Sequence, residues 1–215
     1  MAFPPPDFRR DAIVDAAIRI LDAGGVEALN MRRLAADVGL RPMTLYYHVP
    51  NKTVLLSMVI GEMGHRIVWD TYTGSPRDRL LAQAMDMYTK LDAIPWVSDV
   101  LRTGTVLGMP EFEQAEIYLS AGMELGLDHE TAFGLWRTSW FLITTELQWN
   151  ITARERRGDE VAIYTPDPDE LTDYPAVRQL FDNWDDYTHG YRIEKYLAAL
   201  IDGLAASSGG SSTDG

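Results

Sequence analysis

Leu29-Asn30-Met31-Arg32-Arg33-Leu34-Ala35-Ala36-Asp37-Val38-Gly39-Leu40-Arg41-Pro42-Met43-Thr44-Leu45-Tyr46-Tyr47-His48-Val49 is the stretch that decides the fold. Leu34, Ala35, Val38, Leu40, Leu45 and Val49 fall where two short helices pack around a tight turn. Ala35 is small enough for close approach, and Gly39 supplies the left-handed backbone that such a turn requires. Asn30 is placed to cap a helix over 31–38, and Pro42 suits the first turn of a helix reaching His48. With the apolar positions turned inward, Arg41, Pro42, Met43, Thr44, Tyr46, Tyr47 and His48 are left outside. A merely solvated helix favours Glu and Lys there. This set instead suits the major groove of DNA, where aromatics and Met meet thymine methyls and sugars. Hydroxyls, Arg and His reach base edges and phosphates.

Working outward, the pattern stays helical, with no sustained period-two stretch. A first helix runs from Phe8 to Ala23, with Ile13, Ala16, Ala17, Ile20 and Leu21 on one stripe, and Gly24-Gly25 ends it. A fourth spans Asn51 to about Trp69, before Thr73-Gly74-Ser75-Pro76 breaks the chain. Longer helices follow at roughly 77–92, 97–107, 110–126, 129–156, 175–187 and 189–206, with a mobile loop at 157–174. The fold class is all-α: a three-helix helix-turn-helix domain, then a larger helical domain for ligand binding and dimerisation. The expected layout is a flexible arm (1–8), the DNA-binding unit (9–50), a connecting helix (51–69), the effector and dimer domain (70–206) and a Ser/Gly tail (207–215).

Composition narrows the function. The chain has 215 residues, 46% hydrophobic, with six Trp, ten Tyr, six Phe and nine Met. That bulk exceeds what a core needs and fits a packed interface or a roomy apolar pocket. Without cysteine there are no disulfides or thiolate metal sites. No apolar run has the length of a membrane span, and the N-terminus lacks the features of a signal peptide, so a cytoplasmic location is expected. The net charge of −13 argues against nucleic acid until it is divided along the chain. Residues 1–65 carry seven Lys/Arg against seven Asp/Glu, whereas the remainder carries twelve against twenty-five. The acidity lies wholly outside the N-terminal quarter, which leaves phosphate contact to a small surface there.

Over about residues 9–56, and above all in Leu45-Tyr46-Tyr47-His48-Val49-Pro50-Asn51-Lys52-Thr53-Val54-Leu55, the chain resembles the tetracycline-repressor (TetR) family. The Tyr-x-His-x-x-x-Lys tail makes the resemblance more specific than a generic helix-turn-helix. It implies a homodimer whose recognition helices enter successive major grooves of a pseudo-palindromic double-stranded operator. It also implies a small-molecule effector that shifts the fourth helix and releases the DNA. Tyr46, Tyr47, His48 and Lys52 match DNA-contacting positions of the family, and Met31, Arg32, Pro42, Met43 and Thr44 match more loosely. Arg41 stands where the family has a capping Ser or Thr; it cannot cap, and is expected to reach a base or phosphate. Tyr174-Pro175, Phe181 and the run Tyr191 to Leu204 are similar to the family's terminal helices, where the last helix and the long one before the loop form a four-helix dimer bundle.

In the body, Met85, Tyr88, Trp96, Leu101, Met109, Phe112, Trp136, Trp140, Thr144 and Trp184 are candidate effector-site residues, although any one of them alone reads as core. Glu146, Gln148 and Asn150 are further polar anchors. Phe133, Leu147, Ile151, Ile193, Tyr196, Leu197, Leu200, Ile201 and Leu204 form stripes assigned to the dimer seam. No enzyme is expected: His48, His65, His129 and His189 are the only histidines, and Glu62-x-x-His65 has no second Glu-x-x-His to complete a di-iron site. There is no phosphate loop and no nucleophile elbow, so no catalytic residue, metal or cofactor is assigned. An activator or a protein-contact adaptor on the same fold is the alternative role.

Overall fold

The computed structural model describes residues 8–102, 109–155 and 166–210, and every regular element among them is helical. In chain order these are α1 (Phe8–Ala28), α2 (Met31–Asp37), α3 (Pro42–His48), α4 (Lys52–Arg66), α5 (Pro76–Asp92), α6 (Val97–Arg102), α7 (Met109–Glu124), α8 (His129–Glu155), a 3-10 turn (Pro168–Leu171), α9 (Pro175–Asp182), α10 (Trp184–Gly190) and α11 (Ile193–Gly210).

Local chemistry sets most boundaries. Gly24 and Gly25 interrupt α1 with non-helical backbone, Gly25 at φ 66°, and a last turn to Ala28 follows the break. Asn30 Oδ1 caps α2 by accepting from the amide of Arg32 at 2.9 Å. Asn51 Oδ1 caps α4 through Val54 at 2.9 Å, and Ser75 Oγ caps α5 through Asp78 at 3.2 Å. Between α2 and α3 the chain reverses at Gly39, φ 68°, where the Leu40 amide donates back to the Ala35 carbonyl at 2.8 Å.

Some expected boundaries move. The fourth helix stops at Arg66 because Ile67 turns extended, and Trp69 folds back so that its indole N–H donates to the Gly64 carbonyl at 3.2 Å. The predicted 175–187 helix is two, divided at Asn183. The last helix starts at Ile193 and continues through Gly210, so the expected tail begins as helix; the Ser207 and Ser208 hydroxyls donate to the Leu204 carbonyl. Within the expected loop, Asp167 and Glu170 close a capping box around the 3-10 turn. Most of the predicted arm, residues 103–107 of the 97–107 helix, and residues 156–165 lie outside the described residues.

One continuous apolar cluster runs from Ile13 to Ile201. α4 packs on α1 with one face and on α6 and α7 with the other, while α5, α8 and α11 pack on one another behind α7. The connector after α4 is latched to α5 by polar groups. Tyr72 donates to Asp86 at 2.8 Å, the Asp70 amide donates to it at 3.2 Å, and Lys90 Nζ reaches both Asp70 and Asp86 at 2.8 Å. Burial pushes the Asp86 carboxyl up, but these donors outweigh it and hold the group below the usual carboxylate range.

Gly39 and Gly61 make opposite predictions. A methyl at either position meets open space, yet only Gly39 sits at positive φ. Gly39→Ala is expected to destabilise the protein by about 1–2 kcal/mol through backbone strain. Gly61→Ala, inside α4, is expected to stabilise it by about 0.5–1 kcal/mol. Urea denaturation of the two variants checks both signs.

Candidate nucleic-acid interface and effector region

The inner side of the helix-turn-helix is fully packed: Leu34, Ala35, Leu45 and Val49 have no exposed surface. That packing fixes which side of α3 faces out. Met43 is 81% exposed, Tyr47 85% and Tyr46 41%, and Arg41 and Pro42 are exposed at the helix start. Thr44 and His48 are half-buried at the edges, and the His48 ring meets Tyr47 edge-on, with centroids 5.4 Å apart. Arg41 lies in extended backbone and makes no side-chain cap, as its chemistry requires. Arg32 is exposed on the first turn of α2 beside this face, whereas Arg33 turns to Asp37 at 3.9 Å. Lys52 differs from the expected free phosphate ligand: its Nζ donates to the Val26 carbonyl at 2.7 Å, tying α4 to the end of α1. Two of its three N–H groups are left for another acceptor.

The expected effector residues divide. Met85, Tyr88, Leu101, Trp136 and Trp140 lie half-buried against the core on α5, α6 and α8. Tyr88 is held by Asn150, whose Nδ2 donates to the phenol oxygen at 2.8 Å, and Trp136 packs on Tyr118 at 5.2 Å. The remaining candidates are placed apart from this group. Thr144 donates its hydroxyl to the Trp140 carbonyl of its own helix at 2.9 Å. Phe112 is 53% exposed, and Trp184 stacks on Phe181 on the outlying α9–α10 pair. The Met109 side chain lies outside the described residues. Trp96 is buried, but its indole N–H donates to Asp22 Oδ1 at 2.7 Å, so it is a strut from the start of α6 to α1.

Sequence reasoning missed a buried polar group. Gln83 on α5 donates Nε2 to both the backbone carbonyl and the Oε1 of Gln114 on α7, at 2.8 and 2.9 Å, while its own Oε1 is buried without a donor among the described residues. Lone glutamines inside amphipathic helices carry no signal of this kind. Only the register of α5 against α7 brings them together. Nearby, Tyr118 and Ser139 share a hydrogen bond of 2.9 Å, and burial pushes the Tyr118 phenol up to about 12.

Residues 13–59 match the family of bacterial regulatory proteins named tetR. The match covers α1 from Ile13 through most of α4, so the N-terminal helices carry that family's domain. It is similar to the HTH-type transcriptional repressor DrrR1 of Streptomyces coeruleorubidus, at 32% identity over 58% of this chain and 47% of that protein, so the matched region spans about half of that relative. An HTH-type transcriptional regulator of Saccharopolyspora erythraea is 27% identical over 95% of this chain and 87% of its own length. Among solved structures, ActR of Streptomyces coelicolor shares the fold. Its unliganded form gives a TM-score of 0.76 at 23% identity, covering 98% of this chain and all of ActR. Its complex with actinorhodin gives 0.72 at 22% identity, covering 96% of this chain and all of that one. These are transcriptional regulators, not enzymes. Here Glu62 of the Glu-x-x-His pair is engaged by Arg66 Nε at 2.7 Å.

The residues expected at the dimer seam divide by burial within the protomer. Leu147, Ile193, Leu197 and Ile201 are buried inside the protomer, and Ile151, Leu200 and Leu204 are half-buried. Phe133 and Tyr196 stay outside, 48% and 46% exposed. With Phe133, the outward row on α8 is Arg137, Phe141, Thr145 and Trp149, at successive four-residue steps, with the Arg137 guanidinium 5.3 Å from the Phe141 ring centre. Among the described residues no helix is long and apolar enough to cross a membrane.

The Trp96 strut is testable by itself. Trp96→Phe keeps the buried ring but removes the donor to Asp22, and is expected to cost about 1.5–3 kcal/mol, the worth of a hydrogen bond to a charged group. Trp96→Phe in an Asp22→Ala background should cost far less, and a double-mutant cycle in denaturant separates the pair from mere packing.

Proposed function

We propose that this chain is a ligand-responsive repressor that works in the cytoplasm as a homodimer on a pseudo-palindromic operator. The observation that carries this reading is the outer face of α3. Met43 and Tyr47 are large, apolar and almost fully exposed on a rigid short helix, where no packing role explains them. Arg32, Arg41, Pro42, Met43, Thr44, Tyr46, Tyr47 and His48 are its proposed reading surface, with Lys52 adding a phosphate contact from its remaining donors. Two copies about 34 Å apart reach successive major grooves. The body repels phosphate, which confines binding to this neutral head.

The dimer is supported by the apolar row Phe133, Phe141 and Trp149 of α8, with Tyr196 and the open surface at Gly203 on α11. A two-fold axis through such a patch buries the same residues from both copies. Effector binding is supported by the half-buried aromatics of α5, α6 and α8 and by the orphaned Gln83 oxygen, which a ligand donor would satisfy. The fold shared with ActR, which binds actinorhodin, points the same way. The signal reaches the DNA-binding helices through α4 and through the Trp96–Asp22 strut. By linkage, effector weakens operator binding only as much as operator weakens effector binding.

Selection of bound duplexes from a random pool by the purified protein tests the DNA reading. Tyr47→Ala should weaken the selected site by about 1–3 kcal/mol while leaving the melting temperature unchanged. Arg32→Ala should lower the log–log salt slope by about one per contact, uniformly across sequences. If no duplex is retained, the adaptor role replaces this one. Phe141→Glu with Trp149→Glu should give monomers in analytical ultracentrifugation and lose operator binding; a dimer unaffected by both changes removes α8 from the seam.

A further inference from the structure

Where α5, α8 and the start of α11 meet, a carboxylate sits half-buried with no cation partner among the described residues. Glu146 of α8 makes no hydrogen bond or ion pair among the described residues. Burial raises its affinity for a proton, and Asp92, at the end of α5, raises it further by repulsion. Among the described residues of these segments, the basic groups have other partners. Arg192 Nη1 donates to the carbonyls of His189 and Tyr191, each at 2.7 Å, and Lys195 lies 5.8 Å over the Tyr196 ring. Lys90 is held by Asp70 and Asp86.

Two tyrosines bear on this region. Tyr88 presents its phenol to Asn150, one turn beyond Glu146 on α8. The Tyr191 phenol feels the charge of Glu146 as well as Tyr88, and its ring stacks on Tyr196 at 4.9 Å, with planes 16° apart. A half-buried anion without a partner is costly, and ring faces attract cations, best of all where water is partly excluded. A divalent metal ion would need six or more oxygen ligands or a fixed set of donors. Among the described residues no three His, Asp or Glu converge to provide one. An organic cation needs only one carboxylate and ring faces.

We propose that Glu146, Tyr88 and Tyr191 form a recognition point for an organic cation, a protonated amine or quaternary ammonium, with Asp92 and Asn150 beside it. The inference rests on the ligand-responsive reading above and gives its effector a charge. The twenty-five acidic residues of the body draw such a ligand in while holding DNA off.

Calorimetry on the full-length protein tests the site with benzyltrimethylammonium and tetraphenylphosphonium, and with triphenylphosphine oxide as a neutral control. The cations should bind, and Glu146→Gln should weaken them about tenfold, the scale of a partly desolvated charge contact. Tyr191→Leu should weaken them less, and neither change should alter the neutral control. Cation affinity should fall as the solution is acidified, because protonated Glu146 no longer attracts. The folded-state carboxyl titrates above its unfolded value, so its ionised form costs stability at pH 7. Glu146→Gln should therefore melt no lower than the wild type at pH 7, and any gain should vanish below about pH 4. Failure of both cations to bind, or equal binding by Glu146→Gln, overturns the proposal. Binding to the selected duplex is measured on the same samples. Retained DNA binding with no cation binding overturns this inference alone, whereas lost DNA binding overturns the regulator reading beneath it.

Discussion

The molecule depends on α4 being buried on two sides. Leu55 and Val59 are fully enclosed, and the helix lies between α1 and the α6–α7 layer. Alone, a helix of 15 residues is marginal in water, and the segment before it is too short to enclose a strong core. Each stabilises the other by sharing one apolar cluster. A close-packed interior transmits a displacement instead of absorbing it, and α4 joins the α6–α7 layer to α1, which in turn packs on α2. The latch of Tyr72, Asp70 and Lys90 on Asp86 holds the connector against α5, and Trp96 ties the start of α6 to α1.

What the sequence made legible is what is local. Asn30, Gly39, Pro42 and Asn51 act within four residues of themselves, and their caps and reversal follow from side-chain chemistry alone. The outward face of α3 followed by elimination once Leu45 and Val49 were assigned inward. The body was legible as helices but not as surfaces. On α8, Leu135, Ile143 and Leu147 face the core while Phe133, Phe141 and Trp149 face out, so apolar residues occupy both sides. Periodicity finds a stripe in such a helix without saying which stripe meets which partner. Leu147, buried inside the protomer, was therefore grouped with the outward stripe, while Phe141 and Trp149, which face out, were not.

Polar pairs at long range were hidden for the same reason. Lys52 and Val26 are 26 residues apart, and Trp96 and Asp22 are 74 apart. In the sequence Trp96 is one more aromatic among pocket candidates. Its role depends on Asp22, which on α1 looks like any solvated acid. Gln83 and Gln114 meet only when α5 packs on α7.

Charge ties the two ends of the molecule together. On the proposed reading, a neutral head keeps non-specific affinity for DNA low and leaves binding to specific contacts from α3, and the acidic body reinforces this at low salt. The same acidity is costly wherever a carboxylate is drawn inward. At Asp86 the fold answers that cost with Lys90, Tyr72 and a backbone amide, and the carboxyl is held below the usual carboxylate range. At Glu146 it offers Asp92 and tyrosines instead, and the carboxyl is pushed the other way. Two acids on packed neighbouring helices have thus been treated oppositely, one neutralised within the chain and one left open. A fold able to build the first arrangement has the means to build it twice, so the second is better explained by a charge arriving from outside than by a failure of packing.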